Sequence, residues 1–436
     1  MISYFQEIKG GTQMKLNFDY NAVRAQFPAV DRKVNGNPSI YLDGPGGTQV
    51  PQRVADKISE YLLHHNANAH GCYVTSLETE ALIDNGREVL ADFLGCEKDE
   101  VAFGESTTGN NIKLAFALAR DLKPGDEVII TDIDHEGNRS PWKLLADFGA
   151  VIKSVKVDKE TFTLSFDDYK EKLSSKTKVV AINWASNATG TITDIKKYID
   201  LAHEVGAITI VDAVHYAPHK PMDVKAIGTD FLVCSAYKFF GPHLGVIYTK
   251  KETISDIRTV RVDAYDNTEP PEKFETGTPN FEHISGTAEA VEFIADIGKS
   301  YVDYFKEEVK DLKGRRKNIV AGMLAFDEYE EEMSLVLKNG LMEIPGVTVY
   351  CPPSGEPKTS TVSFTVEGKN ANDVAKYLAE KGIFVWDGDF YAIEIINNVL
   401  KLEEQGGFVR LGLAPYNTME EIHRTIDAVK EYCSKL

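Results

Sequence analysis

The chain has 436 residues, of which 43% are hydrophobic and 26% are charged, and its formal net charge is −19. This length exceeds what one hydrophobic core usually serves, so two domains are expected. The acidic charge argues against nucleic acid and anionic membrane surfaces as partners. Five scattered cysteines without metal-ligand spacing predict reduced thiols and no metal site. Because no signal-like or membrane-length apolar segment is present, we expect a cytoplasmic protein.

Seven short apolar segments alternate with amphipathic segments between residues 41 and 248. Near-continuous Val, Ile and Leu in such segments is typical of strands that are buried on both faces of a parallel sheet. The pattern predicts an α/β fold with a mostly parallel seven-stranded sheet between layers of helices. The predicted strands are 101–103, 127–131, 151–155, 178–184, 207–212, 231–235 and 246–248.

The pattern changes after Pro279, where a long connecting helix is predicted over 284–296. The segment 299–338 is interpreted as a solvated helical insertion, with a partner-binding surface as the alternative. Short strands are then predicted at 347–350, 361–366, 383–386 and 408–413. The predicted units are an N-terminal arm (1–40) that contributes to the small domain, a large domain (41–298) and a smaller α+β C-terminal domain (299–436).

A carboxylate and a lysine follow two successive apolar strands. Asp212 ends one strand, and Lys238 follows the next within Ser-Ala-Tyr-Lys, which begins at Ser235. Ligands bind beyond the carboxyl ends of parallel strands. This order is what a pyridoxal 5'-phosphate (PLP) enzyme needs, because the lysine forms a Schiff base with the cofactor and the aspartate keeps the pyridine nitrogen protonated. Serine β-lactamases and penicillin-binding proteins share Ser-x-x-Lys, but they also need Ser-Asp-Asn and Lys-Thr-Gly, which are absent here.

A candidate phosphate site lies where the strand at 101–103 leads into a helix that is expected to begin near Asn111. Free backbone N–H groups and the helix dipole favour an anion at such a terminus. The candidates are Thr107, Thr108 and Gly109, with a hydroxyl added by Ser235. The glycine-rich segment 44–47 lacks the Gly-Lys-Ser/Thr ending of a phosphate loop and is interpreted as a substrate-side turn.

Together these segments resemble the class V aminotransferases, a family of fold-type I PLP enzymes, and most closely the cysteine desulfurase and selenocysteine lyase-like proteins. The resemblance extends from about Ala29 to the C-terminus and implies a PLP cofactor and an α-amino acid substrate. The matching segments are Tyr41-Leu42-Asp43, Asp134-His135, Ser186-Asn187, Val211-Asp212, Ser235 with Lys238, Gly277-Thr278-Pro279-Asn280, and Arg410.

The resemblance also implies roles for individual residues. His135 would stack over the cofactor ring and shuttle protons, and Asn187 would lie near the cofactor's phenolic oxygen. Arg410 would clamp the substrate carboxylate with its planar guanidinium, and His70 would lie near the substrate. The pair Gly277-Thr278 would complete the phosphate site of the neighbouring subunit, which implies a homodimer with a shared active site.

Four positions depart from the family pattern. Tyr391 stands where desulfurases carry the loop cysteine that takes up sulfur as a persulfide, and Trp386 stands where they carry an arginine. His215 replaces a glutamine near the phenolic oxygen, and Tyr237 replaces the histidine before the lysine; both can still donate a hydrogen bond. Persulfide chemistry therefore loses its nucleophile, whereas the cofactor site is retained.

The hypothesis that follows is a desulfurase-like β-lyase that cleaves a C–S or related bond without a persulfide cysteine. An aminotransferase and an amino-acid epimerase remain open, because both begin by removing the same α-proton. A catalytically retired binding protein is the remote alternative. The retention of Lys238, Asp212, His135 and Arg410 argues against it.

Overall fold

The computed structural model describes residues 16–258, 260–261 and 271–435. The first fifteen residues of the predicted N-terminal arm lie outside the described residues. The strands are β1 (Lys33–Val34), β2 (Asn37–Pro38), β3 (Ile40–Tyr41), β4 (Val101–Gly104), β5 (Glu127–Thr131), β6 (Val151–Val155), β7 (Thr177–Asn183), β8 (Ile208–Asp212), β9 (Phe231–Ser235), β10 (Gly245–Thr249), β11 (Val347–Tyr350), β12 (Val362–Val366), β13 (Ile383–Phe384), β14 (Trp386–Gly388) and β15 (Phe408–Leu411).

Helices alternate with the strands of the first half of the chain. Among the helices that the structure describes, none combines the length and apolar character that a membrane crossing requires. The α-helices are α1 (Tyr20–Arg24), α2 (Gln52–Glu60), α3 (Val74–Leu94), α4 (Thr107–Ala119), α5 (Glu136–Lys143), α6 (Phe166–Lys172), α7 (Ile195–Glu204), α8 (Val224–Ile227), α9 (Lys251–Asp256), α10 (Phe281–Gly298), α11 (Gly314–Met342), α12 (Ala371–Glu380) and α13 (Met419–Ser434).

The seven predicted strands form one sheet, in the order β4-β10-β9-β8-β7-β5-β6. Strand β10 pairs antiparallel with both neighbours, and the remaining pairings are parallel. Successive residues of β5 face opposite cores: Ile129 packs in one hydrophobic cluster, and Val128 and Ile130 pack in the other. Burial on both faces is what the continuous apolar strands indicate. The prediction of a mostly parallel, helix-covered sheet is confirmed.

The smaller unit contains a four-stranded antiparallel sheet in the order β11-β12-β15-β14. The strand predicted at 383–386 is divided between two sheets: β13 pairs parallel with β3 of the N-terminal segment, and β14 joins the four-stranded sheet. The N-terminal segment also packs against this unit through Phe18, whose ring stacks on Tyr329 at a centroid distance of 4.4 Å. These contacts support the predicted arm, whereas the domain limits stay a prediction.

The interpretation of 299–338 as a solvated insertion is wrong. Tyr301, Phe305 and Val309 are buried, and α11 buries one face along its length. Helices α10 and α11 pack closely because Gly298 and Gly322 leave room for the backbone of the opposite helix. The charged residues that suggested solvation lie on the outer face of this packed helix.

The close approach of α10 and α11 generates a stability prediction. A Cβ at Gly322 would overlap the carbonyl oxygen of Ile294, which the backbone of α10 holds in place. Ala normally stabilises a helix interior by about 1 kcal/mol relative to Gly, but overpacking costs about 1–3 kcal/mol. We expect Gly322→Ala to lower the free energy of unfolding by about 1–2 kcal/mol, measured by denaturant titration.

The matched control is Gly340→Ala in the same helix. Its Cβ would meet the side chain of Ile426, which can change rotamer, so the loss of stability should be smaller. A Gly322→Ala protein as stable as the native protein would contradict the close helix contact.

Candidate active site

The carboxyl ends of β7, β8 and β9 open into a cavity of about 350 Å³ that also touches the smaller unit. Most of the predicted site residues line it. Those that do are Thr107, Thr108, His135, Asn187, Asp212, His215, Ser235, Tyr237, Lys238, Tyr391 and Arg410. The glycine-rich turn contributes Pro45 and Gly46 to the lining.

Asp212 ends β8 and is buried at the base of the cavity. Its Oδ1 accepts a hydrogen bond from the backbone N–H of Val214 at 2.8 Å. Burial raises the pKa of the Asp212 carboxyl to about 6, and this hydrogen bond and the nearby Lys238 ammonium oppose the rise. A buried carboxyl of this kind gains from a cationic partner, such as a protonated pyridine nitrogen.

Lys238 lies in the helical turn that follows β9, and its side chain is almost fully buried. Its Nζ donates a hydrogen bond to the carbonyl oxygen of Pro45. Burial lowers the pKa of the Lys238 amine to about 7, and the positive charge of Arg410 adds to this effect, whereas Asp212 and Asp43 oppose it. Near pH 7 a large fraction of the amine is therefore neutral and nucleophilic.

An anion cradle lies at the N-terminus of α4. The helix begins at Thr107, four residues earlier than predicted, and Ser106 caps it by accepting from the N–H of Gly109 at 3.1 Å. The hydroxyls of Thr107 and Ser235 are hydrogen-bonded at 2.7 Å. Gly109, whose N–H donates to this cap, does not line the cavity. The hydroxyl pair and the helix terminus form a site suited to a phosphate.

His135 precedes α5 and caps it, with Nδ1 accepting from the N–H of Gly137 at 2.8 Å. Burial, together with the charges of Lys238 and Arg410, lowers the pKa of the His135 imidazole to about 4. The ring is therefore neutral at pH 7, and Nε2 carries the proton because Nδ1 accepts. The Tyr391 ring lies beside it, with centroids 5.5 Å apart.

Arg410 on β15 is buried and reaches the large domain. One Nη donates to the backbone oxygen of Asn187 at 2.8 Å, and the guanidinium lies 3.9 Å from the centroid of the Phe390 ring. Its Nε has no hydrogen-bond partner among the described residues. Burial lowers the pKa of this guanidinium to about 9. An unpaired buried donor here matches a planar carboxylate ligand.

His215 and Tyr237, two of the residues that depart from the family pattern, both line the cavity. His215 is hydrogen-bonded through Nε2 to the hydroxyls of Thr361 at 2.9 Å and Thr359 at 3.2 Å, and burial holds its pKa well below the usual range. The Tyr237 ring stacks on His243 with a centroid distance of 4.7 Å. These contacts fix both rings at the cavity wall without a charge on either.

Three of the predicted residues lie elsewhere in the chain. His70, Gly277 and Thr278 line a separate cavity of about 370 Å³, and the His70 side chain is 81% exposed. They do not meet Lys238 within one chain. The expectation that Gly277 and Thr278 serve a neighbouring subunit is consistent with this placement and stays a prediction.

Three neighbours of Arg410 were not predicted from the sequence. Trp386 lies directly opposite Arg410 in the pairing of β14 with β15, and Phe390 stacks on the guanidinium. Asp43 is partly buried near Arg410 and Lys238, and burial raises its pKa to about 6. The sequence singled out Asp43 within the matching segment Tyr41-Leu42-Asp43 and Trp386 as a departure from the family pattern, without placing either beside Arg410. Phe390 carried no signal in the sequence.

The residues present fit PLP. The cavity offers a buried carboxyl for the ring nitrogen, a neutral lysine for the aldehyde, and paired hydroxyls at a helix N-terminus for the phosphate. The side-chain oxygens of Asn183 and Asn187 are buried and have no partner among the described residues. Buried polar atoms of this kind are normally satisfied by a ligand or by water.

Comparison with known proteins agrees with this geometry. The family model described as aminotransferase class-V matches residues 40–315 and 319–425. A probable cysteine desulfurase of Mycobacterium leprae is 32% identical over 430 residues, which cover 95% of this chain and 65% of that protein. This chain thus spans about two thirds of that relative's length. An aminotransferase-like protein of Gibberella zeae is 32% identical and is covered to 98%.

The fold also matches solved structures. The apo structure of a cysteine desulfurase from Thermococcus onnurineus NA1 superposes with a TM-score of 0.82 at 26% identity, covering 97% of this chain and all of that one. The chain belongs to the class-V aminotransferase family, whose members are PLP-dependent enzymes, and within it is similar to the cysteine desulfurases.

Proposed function

We propose that the protein binds PLP at Lys238 and is a β-lyase that cleaves a C–S or related bond of an α-amino acid without forming a persulfide. The observation that carries the proposal is the composition of the cavity. None of the described residues that line it is a cysteine, and Tyr391 stands at the loop position of the persulfide cysteine. Sulfur transfer to the protein therefore has no acceptor beside Lys238.

All five cysteines of the chain lie outside the cavity lining, and Cys96 and Cys433 are half-buried elsewhere. Cys234 is fully buried in β9, and burial raises the pKa of its thiol, so it is a poor nucleophile. Cys351 is also buried, in the smaller unit. Cys72 is exposed but lies in the segment of His70, outside the cavity.

The chain's own groups supply the remaining steps. Bound PLP acts as an electron sink for the Cα of the substrate. Arg410 holds the substrate carboxylate, and the neutral amine of Lys238 takes the Cα proton. With PLP bound, the Cβ–S bond would break with its electron pair on sulfur, and the sulfur would leave as a thiol after taking up the proton that Lys238 removed from Cα. Water would convert the released enamine to pyruvate and ammonium. His135, neutral and with a proton on Nε2, is placed to donate a hydrogen bond within the cavity.

An aminotransferase or an epimerase would use the same residues for the same first proton. They differ in where that proton returns, to the cofactor carbon or to the opposite face of Cα. Product analysis therefore separates the three reactions. A β-lyase releases pyruvate and a thiol, an aminotransferase releases a keto acid and leaves the amino group on the cofactor, and an epimerase releases the amino acid with inverted configuration. We favour the β-lyase because the relatives named as cysteine desulfurases act on a bond to sulfur, as their name states.

The lowered pKa of Lys238 predicts how the apo-protein captures PLP. The neutral amine reacts and the ammonium does not, so the rate should rise with pH, with a midpoint near the pKa of about 7 rather than 10.5. The measurement is the growth of visible absorbance after PLP is added, followed by borohydride reduction and mass spectrometry to locate the label. Lys238→Arg should remove the label. A midpoint near 10 would contradict the burial argument.

Turnover of L-cysteine provides the second test. We expect pyruvate and sulfide in equal amounts, with no cyanide-releasable sulfur on the protein, because no cysteine lines the cavity. Alanine together with protein-bound sulfur would overturn the proposal. In that case Cys72→Ser would show whether the exposed cysteine is the acceptor.

The shared site predicts complementation between subunits. Lys238→Ala homodimers should be inactive, and Thr278→Ala homodimers should bind PLP weakly, because one phosphate contact is lost. Heterodimers with one copy of each variant contain one intact site if Thr278 serves the neighbouring subunit. At limiting PLP, doubly tagged heterodimers should recover about half of the native activity. Activity no higher than that of the Thr278→Ala homodimer would contradict the arrangement.

A further inference from the structure

The cavity mouth is walled by three aromatic side chains, Trp386, Phe390 and Tyr391, which we name the aromatic wall. All three come from β14 and the loop after it. Trp386 is 50% exposed and Tyr391 is 67% exposed, although both line the cavity. Exposed large aromatic side chains at a cavity mouth mark a surface that a ligand can cover.

The wall lies next to the group that would hold the substrate carboxylate. Trp386 is directly opposite Arg410 in the antiparallel pair, where side chains of facing residues are neighbours on one face of the sheet. Its indole occupies the space above Gly46, where a Cβ would overlap it. Phe390 covers the guanidinium itself. A substrate bound through its carboxylate would therefore have its side chain within reach of these rings.

Hydrogen bonds to the large domain hold the wall in position. The backbone oxygen of Tyr391 accepts from the N–H of Glu136 at 2.6 Å, and that of Phe390 accepts from the side-chain amide of Asn187 at 3.0 Å. The N–H of Tyr391 donates to Asp389 at 3.0 Å. The rings are thus presented by a fixed backbone, which reduces the entropy lost on binding.

Charge argues against an anionic side chain on the substrate. The cations among the described lining residues are Lys238 and Arg410, and both already have roles at the reacting end. Asp389 lies behind the wall and is close enough to His135 to affect its pKa. Asp387 is turned outward and accepts from Asn372 at 3.0 Å. An anionic substituent would find no free cation among these lining residues, and the nearby Asp389 carboxylate would disfavour its charge.

We infer that the aromatic wall selects amino acids with a bulky apolar β-substituent, namely cysteine thioethers, over free cysteine. The inference rests on the proposed function and names its substrate class. In the balanced reaction the Cα proton and the thioether group R–S leave as R–SH. One water is consumed, and pyruvate and ammonium are the other products. Free cysteine, whose thiol is small, would leave the wall uncovered.

The test compares S-benzyl-L-cysteine, S-carboxymethyl-L-cysteine and L-cysteine on the holoenzyme, with pyruvate as the readout. We expect kcat/KM for the benzyl compound to exceed the other two by about tenfold or more, because ring contacts add to the burial of apolar area. Trp386→Ala should reduce that preference about tenfold, mainly through KM, and Trp386→Phe should retain most of it. Equal or higher kcat/KM for L-cysteine would overturn the inference while leaving the β-lyase intact.

Binding provides a readout that does not depend on turnover. In Lys238→Ala, calorimetric titration should show tighter binding of S-benzyl-L-cysteine than of S-carboxymethyl-L-cysteine, and Trp386→Ala should remove the difference. This preference without pyruvate from any of the compounds would sustain the inference and refute the β-lyase. Equal binding of the two compounds would refute the inference. Circular dichroism of each variant checks that the fold is retained.

Discussion

The pairing of β8 with β9 is the constraint on which the site depends. Asp212 lies opposite Val233 in this parallel pair, so the end of β8 is held beside the chain that continues through Ser235 to Lys238. Because hydrogen bonds fix the register of the two strands, the Asp212 carboxyl and the Lys238 amine stay at one edge of the sheet regardless of loop conformation. The register therefore sets the distance over which a planar ring could join the two groups.

Burial then determines the chemistry of this edge. It raises the pKa of Asp212 and lowers that of Lys238, His135 and Arg410, which brings the amine into a reactive form near neutral pH. Each shift costs stability, because a charged form is disfavoured without its partner. An anionic group of a ligand would offset that cost at Lys238 and Arg410, and a protonated ring nitrogen would offset it at Asp212, which ties the stability of the chain to occupation of the cavity.

Local apolar patterns were sufficient to predict the large sheet, because each of its strands is a short and nearly continuous apolar segment of the sequence. They failed for 299–338, because charged residues on one face of α11 obscured the buried face that packs on α10. Motif order identified Asp212, Lys238 and Arg410. It did not identify the contact of Phe390 with Arg410, because the two residues approach only after β14 pairs with β15. His70 and Thr278 lie in a separate cavity away from Lys238, so the roles predicted for them stay predictions.

The loop after β14 has a mechanical consequence. Phe390 and Tyr391 adopt left-handed backbone conformations, with φ of 54° and 57°, and are tied to the large domain by Asn187 and Glu136. Arg410 makes a third tie through Asn187. Any separation of the two units must break these hydrogen bonds together, so the loop holds the units to each other and does not move independently of them. We expect these three hydrogen bonds, together with those from His215 to Thr359 and Thr361, to oppose opening of the cavity between the two units.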